Sequence, residues 1–216
     1  MDRVGLAQLA LLARVHCPPT LLLPHQAHPP GVEADDLGNL AYPMPWEQYL
    51  RQVGLPASLR SLQLGQGPVH KVSGLGELWQ AYGKSGHELM VVQPDFSEAE
   101  HVLVVVAGQH LEILGFDPLS GRYRQANPAL VEPARQATAR LQAKIDLNLT
   151  GLEFAWHRSK LWLSDLHLVP DLEWWSLGEE AFERVVESCA TELIRRTIPS
   201  QNPPPKAGKP KKMRTE

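Results

Sequence analysis

The sequence predicts an α+β protein in which short antiparallel hairpins alternate with amphipathic helices, and three stretches carry that expectation. From 151 to 175, in GLEFAWHRSKLWLSDLHLVPDLEWW, two apolar runs at 152–156 and 161–166 flank a polar step at 157–160, the pattern of a β-hairpin. A second hairpin runs from His101 to Leu114 around Gly108-Gln109. Near the C-terminus Phe182, Val185, Val186, Cys189, Leu193 and Ile194 recur at helical spacing over 177–196, behind a capping box made by Ser176 and Glu179.

Composition sets the outer limits. A chain of 216 residues with 43% hydrophobic content and a net charge of −3 can bury one full core or two small ones. Cys17 and Cys189 are too few for a disulfide framework and fit a reducing cytosol, so a cytoplasmic location is expected. The longest apolar runs fall short of a membrane span.

In chain order, the first segment reads as an amphipathic helix with Val4, Leu11 and Val15 in line and Ala7 and Leu12 beside them. A signal peptide fits less well, because Asp2 precedes the apolar run and Arg14 interrupts it. Pro18-Pro19 stops that helix, 20–23 reads as a short buried strand, and a loop rich in proline, histidine and acid follows to about 40. The segment from Tyr42 to Pro56 holds a short helix that Gly54 closes. Strands are expected at 57–62 and after Gly65 and Gly67, then a helix over 74–82 capped by Ser73, with Leu75, Leu78, Trp79 and Tyr82 on its core face. Residues 89–92 form a buried strand that ends in Gln93-Pro94-Asp95-Phe96. Residues 120–127 read as a loop carrying Arg122 and Arg124, which are either anion contacts or solvated charges. A helix is placed over 132–144 with Pro133 in its first turn. Residues 199–216, with five prolines and five Lys/Arg, read as a disordered tail too weakly basic for specific nucleic-acid binding.

The chemistry concentrates in the hairpin at 151–175. Glu153 and Asp165 would stand side by side on adjacent strands, with His167 two residues on and on the same face as Asp165. Two opposed carboxylates repel, so they need a cation, a shared proton or positions that do not meet. The spacing favours a divalent cation such as Mg²⁺, which takes oxygen ligands and keeps waters and phosphates. A surface hairpin with two solvated acids fits the spacing as well.

Glu153-Phe-Ala, a hairpin, then Asp165-Leu-His167-Leu-Val-Pro170-Asp171 resembles the metal-binding end of the ATP-grasp superfamily. There an acid on one strand is followed by Glu-x-Asn-x-x-Pro-Gly on the next, and these side chains hold the magnesium ions on ATP. The resemblance implies Glu153, Asp165 and His167 as metal ligands, with Pro170 at the family's proline. His167 in place of Asn is the serious departure, because imidazole suits zinc, copper, iron or nickel better than magnesium.

Other passages are similar in order. Asp2-Arg3, Pro19-Thr20 and the run from Leu21 to Pro24 resemble the family's opening helix and strand, which implies that the α/β domain usually preceding them is missing from this chain. In the lid, Arg60 stands where the family has Lys, and Gly65 and Gly67 remain of the glycine run over the triphosphate. Read alone, these are an exposed strand cation and two turn glycines. Gln93 begins the hinge whose backbone meets adenine in the family, and Pro94 replaces a Glu there and removes an amide N–H. Leu103 occupies the place of a phosphate- or acyl-contacting Arg.

The resemblance implies two small α+β subdomains enclosing a nucleotide cleft: 1–45 a helix, strand and proline-rich connector, 46–95 a lid, 96–198 the metal and nucleotide subdomain, and 199–216 the tail. Three functions follow. The first is an ATP- and Mg²⁺-dependent ligase joining a small carboxylate to an amine or thiol through an acyl phosphate, with nucleotide contacts from Arg60, Gly65, Gly67 and Gln93. The second is a catalytically weakened relative serving as a binding or regulatory partner. The third is a transition-metal protein built on Glu153, Asp165 and His167.

Overall fold

The computed structural model describes residues 1–24, 45–65, 67–86, 88–118, 120–168 and 177–197. Expectations for Pro170, Trp174-Trp175, the Ser176 cap, the 25–40 loop and the tail lie outside them. Among the described residues five helices and nine strands are laid out as α1 (Arg3–Ala13), β1 (Leu21–Leu22), α2 (Trp46–Val53), β2 (Ala57–Ser61), β3 (His70–Val72), α3 (Leu75–Gly83), β4 (Met90–Pro94), β5 (Glu100–Ala107), β6 (His110–Asp117), β7 (Arg122–Gln125), α4 (Pro128–Gln142), β8 (Leu149–His157), β9 (Lys160–His167) and α5 (Glu179–Thr197). They build two antiparallel sheets, one of four strands in the order β1-β4-β2-β3 and one of five in the order β7-β6-β5-β8-β9. Among the described residues no helix is long and apolar enough to cross a membrane.

Each sheet has its own core. In the smaller, Ala57, Leu59, Val72 and Val92 pack against Leu50 and Val53 of α2 and Leu78 and Tyr82 of α3. In the larger, Val102, Val104, Val106, Leu152 and Phe154 point to one face and meet Leu6, Leu9 and Ala10 of α1 and Leu130, Ala134 and Leu141 of α4. Leu103 and Val105 point the other way, to Val185 of α5. Central strand β5 is thus buried on both faces, which is why its sequence is an unbroken apolar run rather than an alternation.

Several local expectations are corrected. Helix α1 buries Leu6, Leu9, Ala10 and Ala13, while Leu11 and Leu12 are 78% and 67% exposed. The buried side is the one that carries Arg3, and its Leu6, Leu9, Ala10 and Ala13 pack with the side chains of the larger sheet. Helix α4 begins four residues earlier than expected, since Asn127 accepts the Ala129 N–H as N-cap and Pro128 takes the first position; Pro133 therefore sits inside the helix. Gly74, not Ser73, is the N-cap of α3, and the Ser73 N–H donates to the Glu77 carboxylate. Trp79 is largely exposed and packs edge-on against Trp46 at 4.7 Å. On α5 the inner contact is made by Val185, while Val186, Leu193 and Ile194 are exposed. Arg122 and Arg124 lie on edge strand β7, paired with β6, rather than in a loop.

The acid hairpin forms in register. His157 pairs with Lys160 around Arg158-Ser159, both in the left-handed region at φ 50° and 59°, as a two-residue hairpin turn with matched twist requires. Glu153 lies directly opposite Asp165. Phe154 lies opposite Leu163, so Ser164 is an extra residue in β9, a β-bulge. Strict alternation would put Asp165 on the same face as Leu163, in the core against α1 and α4. The bulge turns it to the face of Glu153.

Candidate functional site

Two carboxylates buried side by side are neutralised here by the protein's own cations. Asp165 is 2% exposed and Glu153 6%. Asp165 Oδ2 accepts from Arg3 Nη2 at 2.9 Å and from Arg60 Nη2 at 3.0 Å, and Oδ1 accepts from the Leu166 N–H. Arg60 reaches in from β2 of the smaller sheet. Arg3, 1% exposed, also donates through Nε to the Ser61 carbonyl and through Nη1 to the Ser164 carbonyl, so one guanidinium ties α1, the end of β2 and β9 together. Helix α1 is held for this by Asp2, whose carboxylate caps the Gly5 N–H, and by the Arg3 N–H on the Leu62 carbonyl.

Glu153 is held by histidines. His101 Nδ1 and the Ser164 hydroxyl each lie 3.1 Å from Oε1, and His167 Nε2 lies 3.6 Å from Oε2. The other nitrogen of His101 donates to the Phe96 carbonyl just past β4, which fixes the ring. Burial would raise the Glu153 carboxyl, but bonds from His101 and His167 outweigh it and hold the group well below the usual carboxylate range. Burial opposes a charge on His101 as well, yet Glu153 raises it overall; His167 is raised chiefly by its bond to Glu153. Burial and the neighbouring Arg3 charge lower Arg60.

A pH dependence follows. The two histidines hold protons more tightly folded than unfolded, so their contribution is full below the ordinary imidazole value of 6.5 and is lost as pH rises through the raised values. Glu153 behaves oppositely: its contribution is full above 4.5 and is lost as pH falls. Urea midpoints measured from about pH 4 to pH 9 are expected to peak between these limits and to decline on the alkaline side, and His167→Gln is expected to flatten that decline.

Of the residues singled out from the sequence, Arg60, Glu153, Asp165 and His167 meet in this cluster. Gly65 lies over it at φ +65°, and a Cβ there would stand 3.6 Å from His167 Nδ1. Gly67 faces Glu88 and Ser61 instead, and Gln93 is turned to Thr20, donating from Nε2 to its hydroxyl at 2.8 Å. Leu103 pairs with Glu153 across β5 and β8. The site residues that sequence reasoning did not single out are Arg3, His101 and Ser164. Asp2-Arg3 lay inside the resemblance, but nothing local marked Arg3 as buried.

The donor set does not fit a divalent cation. Such an ion needs carboxylate oxygens with free lone pairs, whereas Asp165 Oδ2 carries two guanidiniums and Glu153 Oε1 a histidine and a hydroxyl. His167 turns its Nε2 to Glu153 Oε2 at 3.6 Å, and an imidazole nitrogen suits Mg²⁺ poorly. Among the described residues no group of three or more His, Cys, Asp or Glu is disposed to hold a metal.

No protein-family model matches the sequence, and no curated protein matches it either. Solved structures do match. A RimK-domain ATP-grasp protein from Sphaerobacter thermophilus is 17% identical with a TM-score of 0.60, covering 88% of this chain and 66% of that one. D-alanine–D-alanine ligase from Bacillus anthracis, complexed with ATP, is 12% identical with a TM-score of 0.66, covering 90% and 66%. This chain has the ATP-grasp fold. N5-carboxyaminoimidazole ribonucleotide synthetase from Thermus thermophilus is 20% identical with a TM-score of 0.57, covering 88% and 52%. The chain thus spans between half and two thirds of the length of these three structures.

Proposed function

We propose that this chain is a nucleotide-binding relative of the ATP-grasp ligases that has given up ligation and serves as a binding or regulatory partner. The observation behind this reading is the double guanidinium on Asp165: a ligase site would need that carboxylate for magnesium on the nucleotide. Leu103 in the place of an Arg, His167 in that of an Asn and Pro94 in that of a Glu point the same way.

Arg60 supports retained nucleotide binding. One of its nitrogens holds Asp165, while its Nε is buried and has no hydrogen-bond partner among the described residues. A phosphate oxygen is the natural acceptor for such a group, since a charge-assisted N–H···O⁻ bond offsets the cost of a buried unpaired donor. Gly65 leaves backbone room beside the cluster. The cytoplasmic location expected from the scarce cysteines belongs to the same reading.

Thermal unfolding with ATP, with and without Mg²⁺, tests it. At ~100 times its dissociation constant ATP is expected to add about 2.7 kcal/mol, with or without the metal. Arg60→Ala is expected to weaken ATP binding by roughly 1.5–3 kcal/mol, the value of a hydrogen bond to a charged group. With a panel of small carboxylates and amines, no ATP-dependent phosphate release is expected. Phosphate release that needs Mg²⁺ and disappears in Glu153→Gln would restore the ligase reading.

A further inference from the structure

We propose that Arg3 and Arg60 are the resident counter-cation of the acid pair, standing where a divalent ion would otherwise sit, and that deleting one of them converts Glu153 and Asp165 into a divalent-cation site. This goes beyond nucleotide binding and is tested with metal alone.

The charges balance within the protein. Two carboxylates, Glu153 and Asp165, face each other across β8 and β9, and two guanidiniums converge on a single oxygen of one of them. His101 and His167 add positive charge when protonated. A divalent ion entering this cluster would meet no net negative charge, and it would have to displace guanidiniums that are already desolvated and bonded. Arg3 is the harder to displace, because its Nε and Nη1 are also bound to the Ser61 and Ser164 carbonyls. Arg60 is the looser: its side chain is 19% exposed against 2% for Arg3, and its Nε has no partner among the described residues.

Removing the Arg60 guanidinium leaves two carboxylates against one guanidinium and frees a lone-pair direction on Asp165 Oδ2, across from Glu153. Two carboxylate oxygens and water then offer the oxygen-rich, partly hydrated shell that Mn²⁺ and Mg²⁺ accept. Removing Arg3 would vacate the same oxygen but would also untie α1 from β2 and β9, so Arg60 is the position to vary.

Mn²⁺ is the probe, followed by its paramagnetic resonance and by calorimetric titration, with no nucleotide present. Wild-type protein is expected to bind none at the acid pair up to about 1 mM, the range of weak oxygen sites. Arg60→Ala is expected to bind one Mn²⁺ at least about tenfold more tightly than wild type, and Arg60→Ala with Glu153→Gln to lose that gain. Arg60→Gln, which keeps more of the side-chain volume, is expected to behave like Arg60→Ala. The proposal is overturned if wild-type protein binds one Mn²⁺ that Glu153→Gln abolishes, because the arginines would then not be excluding the ion. It is also overturned if folded Arg60→Ala and Arg60→Gln both bind no better than wild type.

Discussion

Asp165→Asn is expected to destabilise the fold by about 3–5 kcal/mol, the cost of breaking a buried pair by removing one partner. The amide keeps the shape of the side chain but leaves the Arg3 and Arg60 guanidiniums side by side with no counter-charge between them. The strand bearing Asp165 touches α1 through this bond, so the loss is expected to appear as a fall in the thermal midpoint of roughly 6–20 °C for a domain of this size. Replacing all three groups together, Arg3→Met, Arg60→Leu and Asp165→Leu, is expected to cost less, because no guanidinium is left without a partner and Glu153 keeps His101. Equilibrium urea unfolding of the single and triple variants separates these cases. A single variant within about 0.5 kcal/mol of wild type would mean that the cluster behaves as a solvated surface pair.

Phe154→Ala is expected to cost a similar amount, about 3–5 kcal/mol, by a different route. Phe154 is fully buried between the sheet and helices α1 and α4, with Leu6, Leu152 and Leu163 in the same cluster. Truncation leaves a void that close-packed neighbours fill only in part, so the lost transfer free energy and the cavity add. The two variants also differ in pH response. The Phe154→Ala loss is expected to be the same from about pH 5 to pH 8, whereas the profile of Asp165→Asn changes because His167 loses a neighbouring negative charge. Chemical denaturation across that range reads both.

Much of the fold was legible locally. The hairpins at 101–114 and 152–166 follow from apolar runs broken by turn residues, but counting back from the turn puts Glu153 opposite Ser164, and only the bulge brings Asp165 there. Helices α3 and α5 were placed within a residue or two, and α2 stops at Gly54 as expected, because their periods and stops are strong. The face of α1 was misread, because Leu11 and Leu12 are as apolar as Leu6 and Leu9 and nothing in the run says which side another element will cover. The start of α4 was misread for a similar reason: Asn127-Pro128 and Glu132-Pro133 each resemble a helix start, and the Asn127 cap decides between them.

The sequence by itself determined most of the strands and helices and which neighbouring strands form hairpins. Those properties arise from the period of burial and from turn chemistry, which act over a few residues. What neutralises the acids was decided only by the tertiary structure. Arg3 and Asp165 are 162 positions apart in the chain, and Arg60 and Asp165 are 105 apart. No periodicity links such residues; they meet because α1 and the smaller sheet both close over β9. The Ser164 bulge, where the alternation of β9 breaks at Ser164-Asp165, then turns the carboxylate to the face where Glu153 lies and both arginines reach it, and ions this deeply desolvated persist only when paired.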